Sequence, residues 1–183
     1  MIKHITLLVI CLFSYAVASA QLDTNPSVFK YSNTIYGTAA LGGLWGTFNL
    51  NYERQLYVNK TKLFKSVGIR AGGGYWSTWG STGPHFILTP TFLSGTGKHH
   101  FESSIGVTAL YDKLSYDISV SNYNFVVGTG NLDNEVPPSI FDYIGIYPAG
   151  TLGYRFQKPE GRFIFRTGAG FPDVVYVSFG VVF

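Results

Sequence analysis

Val174-Val175-Tyr176-Val177-Ser178-Phe179-Gly180-Val181-Val182-Phe183 ends the sequence, and steps of two divide it into chemically different sets. Val175, Val177, Phe179, Val181 and Phe183 are all large and apolar. Val174, Tyr176, Ser178, Gly180 and Val182 are smaller and mixed. Period two is the repeat of a β-strand, whose side chains alternate between opposite faces. This stretch therefore reads as a strand with one strongly apolar face.

Upstream segments repeat the pattern. Phe163, Phe165, Ala169 and Phe171 alternate with Arg162, Ile164, Arg166, Gly168 and Gly170, and Leu152, Tyr154 and Phe156 alternate with Thr151, Gly153 and Arg155. In 99–110, Phe101, Ile105, Val107 and Ala109 oppose His100, Glu102, Ser104, Gly106 and Thr108. Phe86, Leu88, Pro90 and Phe92 mark one face of 85–93. Val67, Ile69, Ala71 and Tyr75 do so for 67–75, whose other face carries Gly68, Arg70, Gly72 and Gly74. Phe48, Leu50 and Tyr52 oppose Asn49, Asn51 and Glu53 in 45–57, and a first strand near 35–41 is blurred by alanine and glycine. Pro90 cannot donate to a ladder, so a bulge or local break is expected there.

Charged residues are 13% of the chain, about half the usual globular share of roughly 25%, while aromatics reach 17% and there are 22 glycines among 183 residues. That balance suits a sheet with one face in lipid and fits a soluble α/β enzyme poorly. A net charge of +3 is too small to argue for nucleic acid, and no basic run supports that reading, so no nucleic-acid partner is expected. Residues 1–20 read as a cleavable signal peptide: Lys3, a mostly apolar run from Ile5 to Val17, then Ala18-Ser19-Ala20. The run is short for a span of about 20 residues. Cys11, the only cysteine, follows Ile10, where a lipidation site requires a small residue, so neither a lipid anchor nor cysteine chemistry is expected in the mature chain. Beyond the leader no apolar stretch is long enough for a transmembrane helix. A membrane-spanning chain of this kind must close into a barrel, because every backbone polar group in lipid needs an internal partner.

The expected fold is all-β, an eight-stranded antiparallel transmembrane up-and-down barrel over 34–183, preceded by a periplasmic lead-in over 21–33. Apolar sets face outward and polar or small sets inward. The connections fit that number. Residues 157–161, 94–98 and 58–66 would be periplasmic turns; 42–44, 76–84, 111–145 and 171–173 would lie on the outer side. Eight strands place both termini in the periplasm, and seven do not.

By this alternation Glu53, Arg70, Glu102, Arg155 and Arg166 point inward, towards the periplasmic ends of their strands. An eight-stranded lumen is just wide enough for side chains to fill, so these charges are expected to pair as a structural plug. An ion path and a polar catalytic pocket are the functional alternatives. His100 and Glu102 share a face while His99 points away, which is too few ligands for zinc. Metal and cofactor are therefore not expected. Nor is enzymatic activity: the mature histidines are His85, His99 and His100, and no serine stands within reach of one on a lipid-facing wall. The loop 111–145 carries Asp112, Asp117, Asp133, Glu135 and Asp142 against Lys113. It also holds two alternating segments, 116–120 and 123–127, that could extend the barrel as a surface hairpin. Partner or cation contact is its functional reading.

Asn51-Tyr52-Glu53-Arg54, Gly97-Lys98-His99-His100-Phe101-Glu102 and Gly153-Tyr154-Arg155-Phe156-Gln157-Lys158-Pro159-Glu160-Gly161 resemble small outer-membrane barrels of Bacteroidota. The terminal Phe183 resembles the mark by which the outer-membrane barrel-assembly machinery recognises its clients. The resemblance implies an OmpA/OmpX-like barrel in the cell outer membrane and transfers no catalytic residue. Expected partners are outer-membrane lipid and lipopolysaccharide, the assembly machinery during biogenesis, and an outer-membrane protein complex. The expected role is structural or interactive in the envelope. A lipid A-modifying barrel enzyme, an acyl hydrolase or acyl transferase, and a narrow conductance pathway are the alternatives.

Overall fold

Period two in sequence becomes period two in burial. The structure, a computed structural model, describes residues 30–43, 45–58, 64–95, 97–128 and 137–183. The expected leader with Cys11, and 21–29 of the lead-in, lie outside the described residues. Eight strands follow one another around a closed antiparallel barrel: β1 (Asn33–Gly42), β2 (Trp45–Val58), β3 (Ser66–Thr78), β4 (Thr82–Ser94), β5 (His99–Tyr111), β6 (Ile144–Gln157), β7 (Phe163–Phe171) and β8 (Val175–Val182). β8 closes on β1, with Val182 opposite Thr34 and Val175 opposite Leu41. Beyond that ladder the amides of Asn33 and Phe183 donate to each other's carbonyls at 3.1 and 2.8 Å. Closure leaves no open sheet edge.

The polarity of the barrel is inverted relative to a water-soluble domain. Among the described residues the buried side chains comprise 22 polar or charged residues against 10 hydrophobic ones, while Phe48, Leu50, Phe86, Ile105, Leu152 and Phe179 are all more than half exposed. Of the six Asp, Glu, Lys and Arg residues borne by strands, five are buried inside and only Arg54 points outward. Even β1, blurred in sequence, alternates cleanly: Thr34, Tyr36, Thr38 and Ala40 are buried between outward Ile35, Ala39 and Leu41. Glycine makes room inside. A Cβ on Gly72 would run into the side-chain oxygen of Asn51, and one on Gly74 would meet Asn49, so both asparagines fold over the glycine-lined wall of β3.

Three departures from expectation stand out. β3 and β4 run on to a tight turn at Trp79-Gly80-Ser81 instead of ending at 75 and 85. There Thr78 Oγ1 accepts from the amides of Gly80 at 3.3 Å and Ser81 at 3.1 Å, and the Thr78 amide donates to the Ser81 carbonyl at 2.8 Å. Pro90, by contrast, does what was expected of it: it breaks the β4–β5 ladder locally between the pairs Leu88–Val107 and Thr91–Ser104, with the register unchanged and no bulge. A bulge does occur in β2 between Gln55 and Tyr57, which the alternation did not indicate.

The largest departure is the long connection. Lys113–Gly128 forms an α-helix, α1, followed by a 3-10 turn at Ile140–Tyr143, in place of the surface hairpin. Asp112 caps the helix: the Ser115 amide donates to Asp112 Oδ1 at 3.0 Å and the Ser115 hydroxyl to Oδ2 at 2.7 Å. Lys113 pairs with Asp117 one turn on. Tyr116 sits against Tyr111 and edge-on to Tyr143, with centroids 6.0 and 5.6 Å apart. These contacts outweigh the alternating pattern of 116–120.

Candidate functional site: the interior charge network

Four of the five expected interior charges meet at one level, nearer the end of the barrel that carries Asn33 and Val182 (the termini end) than the end that carries α1 (the helix end). Glu53 lies on β2, Glu102 on β5, Arg155 on β6 and Arg166 on β7, and each is at most 1% exposed. Arg155 reaches across the lumen. Its Nε donates to Glu102 Oε2 at 2.5 Å and its Nη2 to Glu53 Oε2 at 2.6 Å. Arg166 grips both oxygens of Glu102, through Nε to Oε2 at 3.0 Å and through Nη2 to Oε1. Glu102 is thus shared by two guanidiniums, the planar bidentate pairing that arginine suits best. Tyr36 of β1 donates to Glu53 Oε2 at 3.4 Å, and the Arg166 guanidinium lies over the Tyr36 ring, 4.3 Å from its centroid. The network ties β1, β2, β5, β6 and β7 together across the interior of the barrel.

Arg70 does not join it. Glu53 is its partner across the β2–β3 ladder, yet the ion pair Arg70 makes is with Asp173, Nη2 to Oδ2 at 3.7 Å. This corrects the single five-membered cluster expected from alternation. The acid responsible sits in the β7–β8 turn, which was read as an outward connection. In the structure Asp173 turns back into the barrel, is 1% exposed, and accepts from Thr47 Oγ1 at 2.7 Å and Asn49 Nδ2 at 2.8 Å. Charge counting points to it: three inward arginines and two inward glutamates leave one buried cation, which is costly unless a third acid reaches it. With Asp173 the buried charges balance, three acids to three arginines.

The remaining chemistry-bearing groups are scattered. His100 points inward and is 2% exposed. His99 points outward, with Nδ1 2.5 Å from the Tyr154 hydroxyl. Ser104 is hydrogen-bonded to Thr151 at 2.7 Å and Ser178 to Thr38 at 2.9 Å. His85 is fully buried near Asp173 and Arg70 without a hydrogen-bond partner for either ring nitrogen. Among the described residues no group of three or more His, Cys, Asp and Glu side chains is placed to hold a metal ion. Several buried polar atoms around the network also lack a protein partner, including Glu53 Oε1, Arg70 Nε and Thr89 Oγ1. Such atoms mark places where enclosed water belongs.

No protein-family model matches the chain, and comparison with curated proteins gives no match. The likeness to an OmpA/OmpX-type domain is one of architecture, an eight-stranded antiparallel barrel.

Proposed function

We propose that the chain is an integral outer-membrane protein, exported behind a cleaved leader, with a structural or interaction role in the envelope and no enzymatic one. The inverted polarity carries this reading: a mostly apolar outer wall with a single strand-borne full charge, around a polar, ion-paired interior. A wall of exposed Phe, Leu, Ile and Val is unfavourable in water and favourable in a hydrocarbon layer. Strand length supports it as well. Strands β3, β4 and β5 each have 13 residues; at ~3.3 Å per residue and a tilt of about 40°, they rise roughly 33 Å, enough for an apolar band of about 25 Å. At the termini end few residues separate the ends of β4 and β5, Ser94 and His99, or of β6 and β7, Gln157 and Phe163, as befits periplasmic turns. In this reading the helix end faces outward. The Glu53–Arg155–Glu102–Arg166 bridge, which crosses the interior, favours a scaffold over a wide solute path.

Membrane fractions washed with carbonate test this directly. The protein should stay in the pellet, and unheated samples should migrate differently from boiled ones on a gel. Release into the supernatant would overturn the assignment.

A further inference from the structure

The helix end of the barrel closes on aromatic rings. Trp45 and Trp76 stack with centroids 5.0 Å apart and planes inclined by 19°. Phe171 leans on Trp45 at 5.9 Å, and Tyr147 stands edge-on to Phe171 at 6.3 Å. Tyr143 is held from behind by Tyr116 of α1. Together with Asp112 these five rings line a cavity of about 290 Å³.

Two local features indicate that the cavity is built. Tyr147 packs over Gly145: a Cβ there would come within 2.4 Å of the Tyr147 ring in its present position. The Trp45 indole N–H is buried without a hydrogen-bond partner, an unmet donor of the kind that native interiors rarely leave.

The electrostatics have one sign. Asp112 is the acid of the cavity, and among the described residues no cationic side chain lines it. Lys113, next in sequence, is occupied by Asp117. Burial pushes the Asp112 carboxyl up, but hydrogen bonds from Ser81, Ser115 and Leu114 outweigh it and hold the group below the usual carboxylate range. It is therefore charged at neutral pH. Aromatic faces carry negative quadrupole potential and attract cations, best when desolvated. An aromatic bowl with an ionised carboxylate and a spare N–H donor is matched by a small cation that also bears an oxygen acceptor.

We propose that this bowl is a binding site for a small organic ammonium carrying a hydroxyl, of the amino-alcohol class: the ammonium lies against the rings beside Asp112, and its oxygen accepts from Trp45 Nε1. The site is separate from the interior charge network, and the proposal does not depend on which membrane holds the barrel.

Choline is the probe, titrated into the folded full-length protein in maltoside micelles while tryptophan fluorescence is read. Two controls separate the parts of the claim: 3,3-dimethyl-1-butanol, the uncharged isostere, and tetramethylammonium, which lacks the oxygen. Choline should give a saturable change. The uncharged isostere should bind roughly tenfold more weakly, the scale of a desolvated cation–aromatic contact, with tetramethylammonium between the two. Asp112→Asn should weaken choline about fivefold to tenfold. Because Asp112 also caps α1, Tyr147→Ala provides a second test on a half-exposed residue outside that cap, and it should weaken choline severalfold with unheated gel mobility unchanged. Equal affinity for choline and its uncharged isostere, or unchanged choline affinity in folded Tyr147→Ala, would overturn the proposal. So would the absence of any saturable change.

Discussion

Glu102 is the residue on which the interior depends, since among the described residues it alone neutralises parts of two arginines. Glu102→Gln leaves Arg155 and Arg166 incompletely paired at zero exposure. Breaking a buried pair typically costs ~3–5 kcal/mol, and water in the lumen should reduce this to about 2 kcal/mol. Urea unfolding in liposomes measures it. The double variant Glu102→Gln/Arg166→Met should lose less than the sum of the single losses, because the two side chains act as one unit. A structural network also leaves the lipid A mass spectrum of the strain unchanged in every variant that still folds; an altered spectrum in a well-folded Glu102→Gln strain would favour the enzyme alternative. Asp173 gives a parallel case. Asp173→Asn retains an acceptor for Thr47 but leaves Arg70 as an unmatched buried charge, so it should destabilise the barrel by about 1–3 kcal/mol, with partial rescue by Arg70→Met. Glu53, Glu102, Arg155 and Arg166 were legible in sequence because alternation places them on one face and a narrow lumen forces facing charges together. Asp173 was not, because it lies in a turn, where period two says nothing about direction. Only the imbalance of inward charges pointed to a missing acid.

At the scale of elements, strand existence followed from periodicity and strand ends did not. Trp76 and Ser77 looked like loop residues, yet the Thr78 hydroxyl organises so tight a turn that the ladder runs nearly to it. The helix α1 was hidden by accidental alternation in Tyr116-Asp117-Ile118-Ser119-Val120. The available indication was the cap, Asp112 with Ser115 at the third helical position, followed by Lys113 and Asp117 four apart. Asp112→Ala should therefore loosen the first turn by about 1 kcal/mol, read as faster amide hydrogen exchange at 114–118 while β5 and β6 stay protected. The closing element makes a different prediction. Phe183 exchanges two backbone hydrogen bonds with Asn33 beyond the β1–β8 ladder and turns its ring outward, 51% exposed. Deleting it removes those bonds together with an outward aromatic from the seam on which closure depends. Folded, heat-modifiable protein should fall severalfold at native expression; an unchanged yield would show that the terminus is dispensable for assembly.

The whole molecule is an inverted protein, and that inversion was the most legible property of the sequence. Eight segments alternate so that large apolar residues share one face while nearly all strand charges share the other. A closed barrel is the arrangement that satisfies both faces and every backbone group at once. The interior then has to be neutral in sum, which it is, with Glu53, Glu102 and Asp173 against Arg70, Arg155 and Arg166. What lies at the helix end was beyond the reach of periodicity, because Trp45, Phe171 and the pair Tyr143 and Tyr147 converge from strand ends and a turn that are far apart in the chain. The central claim is that the outer wall meets lipid, and a nitroxide scan along β5 tests it most directly. Residues 21–183 contain no cysteine, so single cysteines at Phe101, Ser103, Ser104, Ile105, Val107 and Thr108 can each carry a spin label in the liposome-folded protein. Labels at Phe101, Ser103, Ile105 and Val107 should be accessible to oxygen dissolved in the bilayer and shielded from a water-soluble nickel complex. Labels at Ser104 and Thr108, whose side chains point into the lumen, should be shielded from oxygen. Outward positions open to the nickel complex, or no alternation along the strand, would contradict the account.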